Sequence, residues 1–394
     1  MGELKKRLRE EIRRGFTYSD QMSDEDIARA IDEKILEQKE LQELPLRERL
    51  KLQKELFDSF RRLDILQELV DDPKITEIMV NGPDEIFVES GGKIGRWGGG
   101  TFESKEQLVD LIQQIVGRVN RIVNTSSPIA SARLENGSRV QVVLEPVALN
   151  GPILTIRKFP ERITMERLIR YGSISEEAAE FLKMMTVARY NIFVSGGTGA
   201  GKTTFLNALS EFIPQEERVI TIEDSAELQL PHIANLVRLE TRDANAEGEG
   251  AIGIGELIRS SLRMRPDRIV IGEVRGKETL DLLQAMNTGH DGSFSTGHGN
   301  SVRDMLSRLE TMVLMGMDLP LAAVRKQMAS ALDLMVHVAR QRDRSRKIVA
   351  IEEVTGFEDG EIVLNSLFSL VDGHLEKTGN LKNSEKLRLA GYQL

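Results

Sequence analysis

The stretch Ile192-Phe193-Val194-Ser195-Gly196-Gly197-Thr198-Gly199-Ala200-Gly201-Lys202-Thr203-Thr204-Phe205-Leu206 decides the fold. From Gly196 to Thr203 it reads G-x-x-x-x-G-K-[ST], with an apolar run before it and a helix-forming run after it, so strand, loop and helix follow in that order. Glycines let successive backbone N–H groups turn inward onto phosphate oxygens, and the helix that opens there adds its partial positive N-terminus. Gly197, Thr198, Gly199, Ala200 and Gly201 form the cradle, with Thr204 closing the motif. Lys202 supplies a point charge for the β- and γ-phosphates, and the Thr203 hydroxyl is a ligand for Mg²⁺. The stretch predicts a nucleoside triphosphate site.

Outward from it, a helix from about 176 leads into the strand, and the β-type runs Arg218 to Ile222, Arg268 to Ile271 and Ser293 to Thr296 alternate with helical stretches. That is the pattern of a parallel sheet, whose ligands gather at the carboxyl ends of the strands. Leu334 to Ala339, Lys347 to Glu353 and Glu361 to Leu364 read as a meander appended to it, and the whole domain spans 176–394.

Upstream the periodicity shortens. Ile75 to Val80 and Glu85 to Glu89 are strands joined by tight turns at Asn81-Gly82-Pro83 and Gly91-Gly92. Ser104 with Gln107 caps a helix running to about Arg121, and Glu135-Asn136-Gly137 turns the chain into the strand Arg139 to Leu144. Residues 62–156 therefore form a small α+β domain, and 157–175, with Pro160, the hinge linker. Residues 1–61 are a charged helical extension: Leu4, Leu8 and Ile12 recur on one face, and Ser23 caps a helix opening with Asp24. The basic start, Lys5-Lys6-Arg7 with Arg9, Arg13 and Arg14, reads as a solvated helix face, with contact to a membrane surface or a partner as the alternative. The run Met312, Met315 and Met317 reads as helix packing.

Composition bounds the rest. A chain of 394 residues has material for two or three domains, and with no cysteine it has neither disulfides nor thiolate metal sites. Neither a signal peptide nor an apolar run of about eighteen residues is present, so a cytoplasmic location is expected. A net charge of −9 argues against a protein whose main task is wrapping nucleic acid.

Acids stand at two strand ends. Glu223 and Asp224 follow one apolar run and Glu273 follows another, each a candidate to order the Mg²⁺ shell or the attacking water. An acid so placed can instead cap the next helix. Gly272 stands where many phosphate-loop proteins carry the Mg²⁺ aspartate, which leaves Glu273 alone. His290 and His298 flank the following strand, and a histidine there can hydrogen-bond a γ-phosphate. Arg238 and Arg242 lie between the acidic segments, while Arg133 and Arg139 bracket the hairpin of the smaller domain. All four are candidates for charge stabilisation at a phosphoryl group.

Taken together, these residues resemble the type II/IV secretion traffic ATPases, and most closely the tight-adherence (Tad) pilus assembly ATPases of the CpaF type. The matching segments are the phosphate loop 196–203, the acidic box Thr221 to Leu230, the run Arg265 to Gly276 and the histidine box Thr288 to His298. Ile75 to Pro83, Ala132-Arg133-Leu134 and Gly137 to Val140 match the N-terminal domain of the same family. The resemblance implies an α/β, RecA-like P-loop NTPase C-terminal domain with a smaller α+β, PAS-like N-terminal domain and a helical N-terminal extension. It implies a ring-shaped homohexamer that hydrolyses ATP with Mg²⁺ and moves an inner-membrane platform protein at the inner face of the cytoplasmic membrane. It makes Glu223 the expected general base, with Glu273 beside Thr203 at the Mg²⁺. No nucleic acid is expected as partner. A RecA-class nucleic-acid translocase is the alternative, and it predicts strong stimulation of turnover by DNA.

Overall fold

The computed structural model describes residues 7–12, 23–119, 121–159, 162–242, 244 and 249–392. The chain divides into two compact units, residues 1–160 and 161–394.

The first unit opens with α1 (residues 7–12), α2 (Asp24–Glu37), α3 (Lys39–Gln42) and α4 (Leu46–Arg61). Ser23 accepts a hydrogen bond from Asp26 N while the Asp26 carboxylate accepts one from Ser23 N, a reciprocal cap on the first turn of α2. Leu8, Ile12, Ile27, Ile31, Ile35, Leu52 and Leu56 close a small core of their own. Of the basic start, Lys5, Lys6, Arg13 and Arg14 lie outside the described residues, as does Leu4. Arg9 donates to Glu103 at 2.8 Å, so it is an ion-paired side chain and not merely a solvated one.

After α5 (Gln67–Asp71) comes an antiparallel sheet in the order β3-β2-β1-β6-β5-β4. Its strands are β1 (Ile75–Asn81), β2 (Ile86–Ser90), β3 (Lys93–Arg96), β4 (Ile129–Arg133), β5 (Arg139–Val143) and β6 (Ile153–Arg157). Gly91 at φ +57° and Gly92 at φ +74° make the tight β2–β3 turn, a pair of left-handed positions that side chains resist. Leu108, Leu111, Ile112 and Ile115 of α6 (Lys105–Gly117) face the sheet's apolar side. This helix ends at Gly117, short of the expected Arg121.

The second unit is built on a sheet in the order β15-β14-β13-β12-β7-β11-β10-β8-β9. In chain order its elements are α7 (Met165–Arg170), α8 (Glu176–Val187), β7 (Ile192–Gly196), α9 (Lys202–Ser210), β8 (Arg218–Glu223), β9 (Asn235–Glu240) and α10 (Ile254–Ser261). Then follow β10 (Arg268–Ile271), α11 (Glu278–Asn287), β11 (Phe294–His298), α12 (Val302–Leu314), α13 (Leu321–Ala331), β12 (Leu334–Arg340), β13 (Arg346–Glu358), β14 (Glu361–Val371), β15 (His374–Lys377) and α14 (Glu385–Leu389). The central strands are buried on both faces, as their near-continuous apolar runs require. Two apolar cores lie against the sheet, one holding Leu206 and Leu182, the other Leu283 and Leu309.

Three expectations are modified. The 157–175 stretch carries α7, whose Met165 and Leu168 belong to the second unit's core, and Arg162 pairs with Glu211 at 2.8 Å. The span free to act as a linker is correspondingly shorter. Leu334 to Arg340 opens the meander but itself pairs in parallel with β7, so the appended strands continue the same sheet. Finally, Met312 packs as read, whereas Met315 is 68% and Met317 49% exposed, because α12 ends before them.

Candidate nucleotide-hydrolysis site

Strand β7 ends at Gly196, where a Cβ would stand 2.4 Å from the Val338 carbonyl oxygen, so only glycine lets β7 and β12 lie this close. Gly199 (φ +68°) and Gly201 (φ +96°) turn the loop, and α9 begins at the next residue, Lys202. The loop amides and the helix N-terminus thus face one point. Thr203 and Thr204 sit in the first turn of α9.

Lys202 is 7% exposed, and its Nζ donates to Gly197 O at 3.3 Å and to His298 Nδ1 at 3.1 Å. An ammonium only donates, so Nδ1 is the acceptor and the imidazole proton sits on Nε2. That nitrogen lies 3.0 Å from Glu273 Oε1, although off the line of a hydrogen bond. Burial, and then the Lys202 charge, pulls the His298 pKa below its usual value, so the ring is neutral at pH 7. Arg275 reaches Glu273 Oε2 at 3.3 Å and Asp224 Oδ2 at 3.5 Å. The ends of β7, β10 and β11 therefore bring a cation, an imidazole, a carboxylate and a guanidinium into one chain of contacts.

Glu223 ends β8 and is 3% exposed. Its Oε2 accepts from Glu227 N at 2.6 Å and Leu228 N at 2.9 Å, which belong to a non-helical segment and not to a helix it could cap, while buried Oε1 has no partner among the described residues. Burial pushes its pKa up to about 7, against the opposing pull of those two amides and Arg238. A carboxylate that exchanges its proton near neutrality suits general base catalysis. The same side chain explains Gly272, whose Cβ would meet Glu223 Cγ at 3.0 Å. Glu223 fills the space a side chain at 272 would need.

Beside Gly201 and Thr204 a pocket of about 240 Å³ opens between α7 and the start of β13, walled by Leu168, Ile174, Phe205 and Ile348. Apolar walls next to a phosphate cradle suit a nucleobase.

Residues 61–363 match the family model for the type II/IV secretion system protein. The chain belongs to that family. It is 34% identical over 305 residues to the type IV secretion system protein VirB11 of Brucella abortus, covering 70% of this chain and 84% of that one. A Mycobacterium tuberculosis protein named for conjugal transfer is 36% identical over 294 residues, 73% of this chain and 83% of its own. Among solved structures, the pilus retraction motor PilT aligns with a TM-score of 0.54 at 20% identity over 83% of this chain and 85% of that one. The Legionella pneumophila ATPase DotB gives 0.52 at 19%, over 75% and 80%. These last two likenesses bear on the fold alone, which is α/β and RecA-like. The chain is an ATPase.

Within this secretion ATPase the other expected residues are placed unevenly. Arg238 lies on β9 close enough to lower the Glu223 pKa, whereas Arg242 donates to Gly250 O at 2.6 Å, three residues before the Gly253 cap of α10. His290 precedes β11 with its Nδ1 3.3 Å from Ala285 O, at the opposite end of the strand from His298. Arg133 and Arg139 are cross-strand partners on β4 and β5 of the first unit, and Arg157 of β6 stands next to Arg139 in register. Arg157 was not singled out from the sequence, since only the β5–β6 pairing sets it in that row. On its other side Arg157 stands in register with Glu77 of β1, so the row runs from three arginines into a carboxylate.

The raised Glu223 pKa has a consequence for stability. Between about pH 4.5 and 7 the folded chain holds a proton there that the unfolded chain has lost, so this contribution falls as pH rises. Glu223→Gln removes the effect while keeping an oxygen for the two amides. The variant is expected to match the parent near pH 4 and to exceed it by up to about 3 kcal/mol at pH 8. Thermal melts at the two pH values check this, and an equal difference at both would contradict the buried, titrating carboxylate.

Proposed function

We propose that the chain is a homohexameric motor coupling ATP hydrolysis to the work of a Tad (type IV-like) pilus or type II/IV secretion machine at the cytoplasmic face of the inner membrane. The observation that carries this reading is the Lys202–His298–Glu273–Arg275 chain of contacts beside buried Glu223, a site with both a phosphate cradle and the groups that hydrolysis requires. In it Lys202 binds the β- and γ-phosphates, His298 contacts the γ-phosphate and Glu223 takes the proton of the attacking water. Arg133 and Arg139, with Arg157 beside them, bring positive charge to the γ-phosphate.

The donor set fits Mg²⁺. Mg²⁺ binds through one or two protein oxygens together with phosphates and water, and a threonine hydroxyl at the start of α9 with a carboxylate just past β10 is a donor set of that kind. Thr203 and Glu273 are the protein oxygens that would hold it. Bound there, it would neutralise charge that builds on the phosphates.

No helix among the described residues is long and apolar enough to cross a membrane, so the motor would act through an inner-membrane platform protein. Recovery of one such protein with the tagged chain from host membranes, with ATP turnover unchanged by DNA, is the expected outcome. Strong stimulation by DNA would point to a RecA-class translocase instead.

A further inference from the structure

The turn between β12 and β13 is held in shape by its own contacts. Gln341 N donates to Ser345 O at 2.8 Å and Arg344 N to Gln341 O at 2.9 Å, while the Asp343 carboxylate accepts from Ser345 N at 2.9 Å and Ser345 Oγ at 2.6 Å. Asp343 is the only acid between Arg340 and Lys347, a stretch that also carries Arg342, Arg344 and Arg346, so the turn is strongly basic. Ile348 N donates to Ser173 O at 2.8 Å, which fixes the start of β13 on the segment that follows α7.

Arg346, the first residue of β13, reaches from this turn onto the phosphate loop. Its Nε donates to Gly199 O at 3.0 Å, and its Cδ would stand 3.1 Å from a Cβ at Gly201, so its stem lies where that glycine leaves room. The remaining N–H groups of the guanidinium, on Nη1 and Nη2, donate to no group among the described residues. Arg346 also lines the pocket of about 240 Å³, together with Gly201 and Thr204. A nucleotide with its β- and γ-phosphates at Lys202 and its base in that pocket lays the part that joins them, the α-phosphate and ribose, past Gly201 and Thr204. Of those two the α-phosphate is the anion, and a guanidinium pairs with such an anion through charge-assisted hydrogen bonds. We propose that Arg346 binds the α-phosphate through its terminal nitrogens while its Nε holds the loop at Gly199 O. The proposal rests on the reading of the cradle and the pocket as one nucleotide site.

The test is Arg346→Gln in the full chain, beside Arg346→Ala. Glutamine Nε2 stands as many bonds from the backbone as arginine Nε, so this variant keeps a donor for Gly199 O and loses the charge, whereas alanine loses both. Affinities for ADP, for its two α-thio diastereomers and for a non-hydrolysable ATP analogue are measured without Mg²⁺, and kcat and KM for ATP with it. Arg346→Gln should weaken ADP and the analogue alike, by about tenfold, the size of one hydrogen bond to a charged group. The loss should appear in KM, with kcat within about twofold, since the α-phosphate takes no part in the bond that breaks. Sulfur in place of an α-oxygen weakens whatever hydrogen bond that oxygen accepts, so at least one diastereomer should bind less well than ADP to the parent and lose that handicap in Arg346→Gln. Sulfur effects equal in parent and variant for both diastereomers would overturn the contact. Parent-level ADP affinity in Arg346→Gln with a loss only in Arg346→Ala would also overturn it, leaving Arg346 as a brace for the loop. Parent-like nucleotide binding in Lys202→Ala would overturn the reading of the cradle, and this inference with it.

Discussion

Lys202→Ala is expected to reduce ATP turnover by roughly 10²- to 10⁴-fold, the equivalent of leaving a buried charge without its partner at about 3–5 kcal/mol. The lysine is held beneath the loop with its ammonium on Gly197 O and His298 Nδ1, and burial already pulls its pKa down while Glu273 pushes it up. Triphosphate anions give this buried ammonium its best partner. Alanine removes the ammonium held beneath the loop and strips His298 of its donor, leaving Arg346, whose Nε donates to Gly199 O at 3.0 Å, as the cation on the loop, so binding and chemistry should fall together. Nucleotide affinity by titration and phosphate release by a coupled assay report the two separately. Wild-type activity in the variant would sink the assignment of the site.

The second large effect is expected from Arg133→Ala combined with Arg139→Ala. An arginine that completes a phosphate site makes charge-assisted contacts that strengthen as charge builds in the transition state, and losing one supplied in this way costs roughly 10³-fold or more in turnover. The two side chains stand opposite one another on β4 and β5, with Arg157 next in the row. In the proposed ring they would act on the nucleotide of their own chain or of a neighbour. Mixing inactive Lys202→Ala chains with inactive double-arginine chains separates the two. Action on a neighbour lets mixed rings regain activity, since an intact loop then sits beside intact arginines. Action within one chain gives no rescue at any ratio. A double variant that hydrolyses ATP normally removes the arginines from the chemistry.

Much of this was legible in the sequence because the phosphate loop constrains its own surroundings. A G-x-x-x-x-G-K-T run between an apolar segment and a helix former can hardly be built otherwise, and α9 does begin at Lys202. The acids at the ends of β8 and β10 were legible for a related reason, since an apolar run that stops at a charge marks the end of a strand, even where, as at Glu223, the charge itself is buried. What escaped depends on pairing across the sheet. Strand β9 alternates between exposed and half-buried at the sheet edge, too polar to announce itself. Helix α7 looked like linker because Pro160 and sparse apolar residues hide that Met165 and Leu168 face a core. Gly272 appeared to be a missing aspartate until Glu223 was seen filling the space beside it. Arg157 gains its place beside Arg139 only from the β5–β6 pairing.

In the proposed mechanism Glu223 activates water, and the phosphates are left to Lys202 and its neighbours. The most direct measurement sets ATP affinity beside phosphate release for the parent chain and for Glu223→Gln. The amide keeps the shape and the contacts to Glu227 N and Leu228 N but cannot take a proton. The mechanism predicts ATP affinity within a few-fold of the parent and a loss of release of about 10²-fold or more. Release at the parent's rate from the amide variant would contradict it.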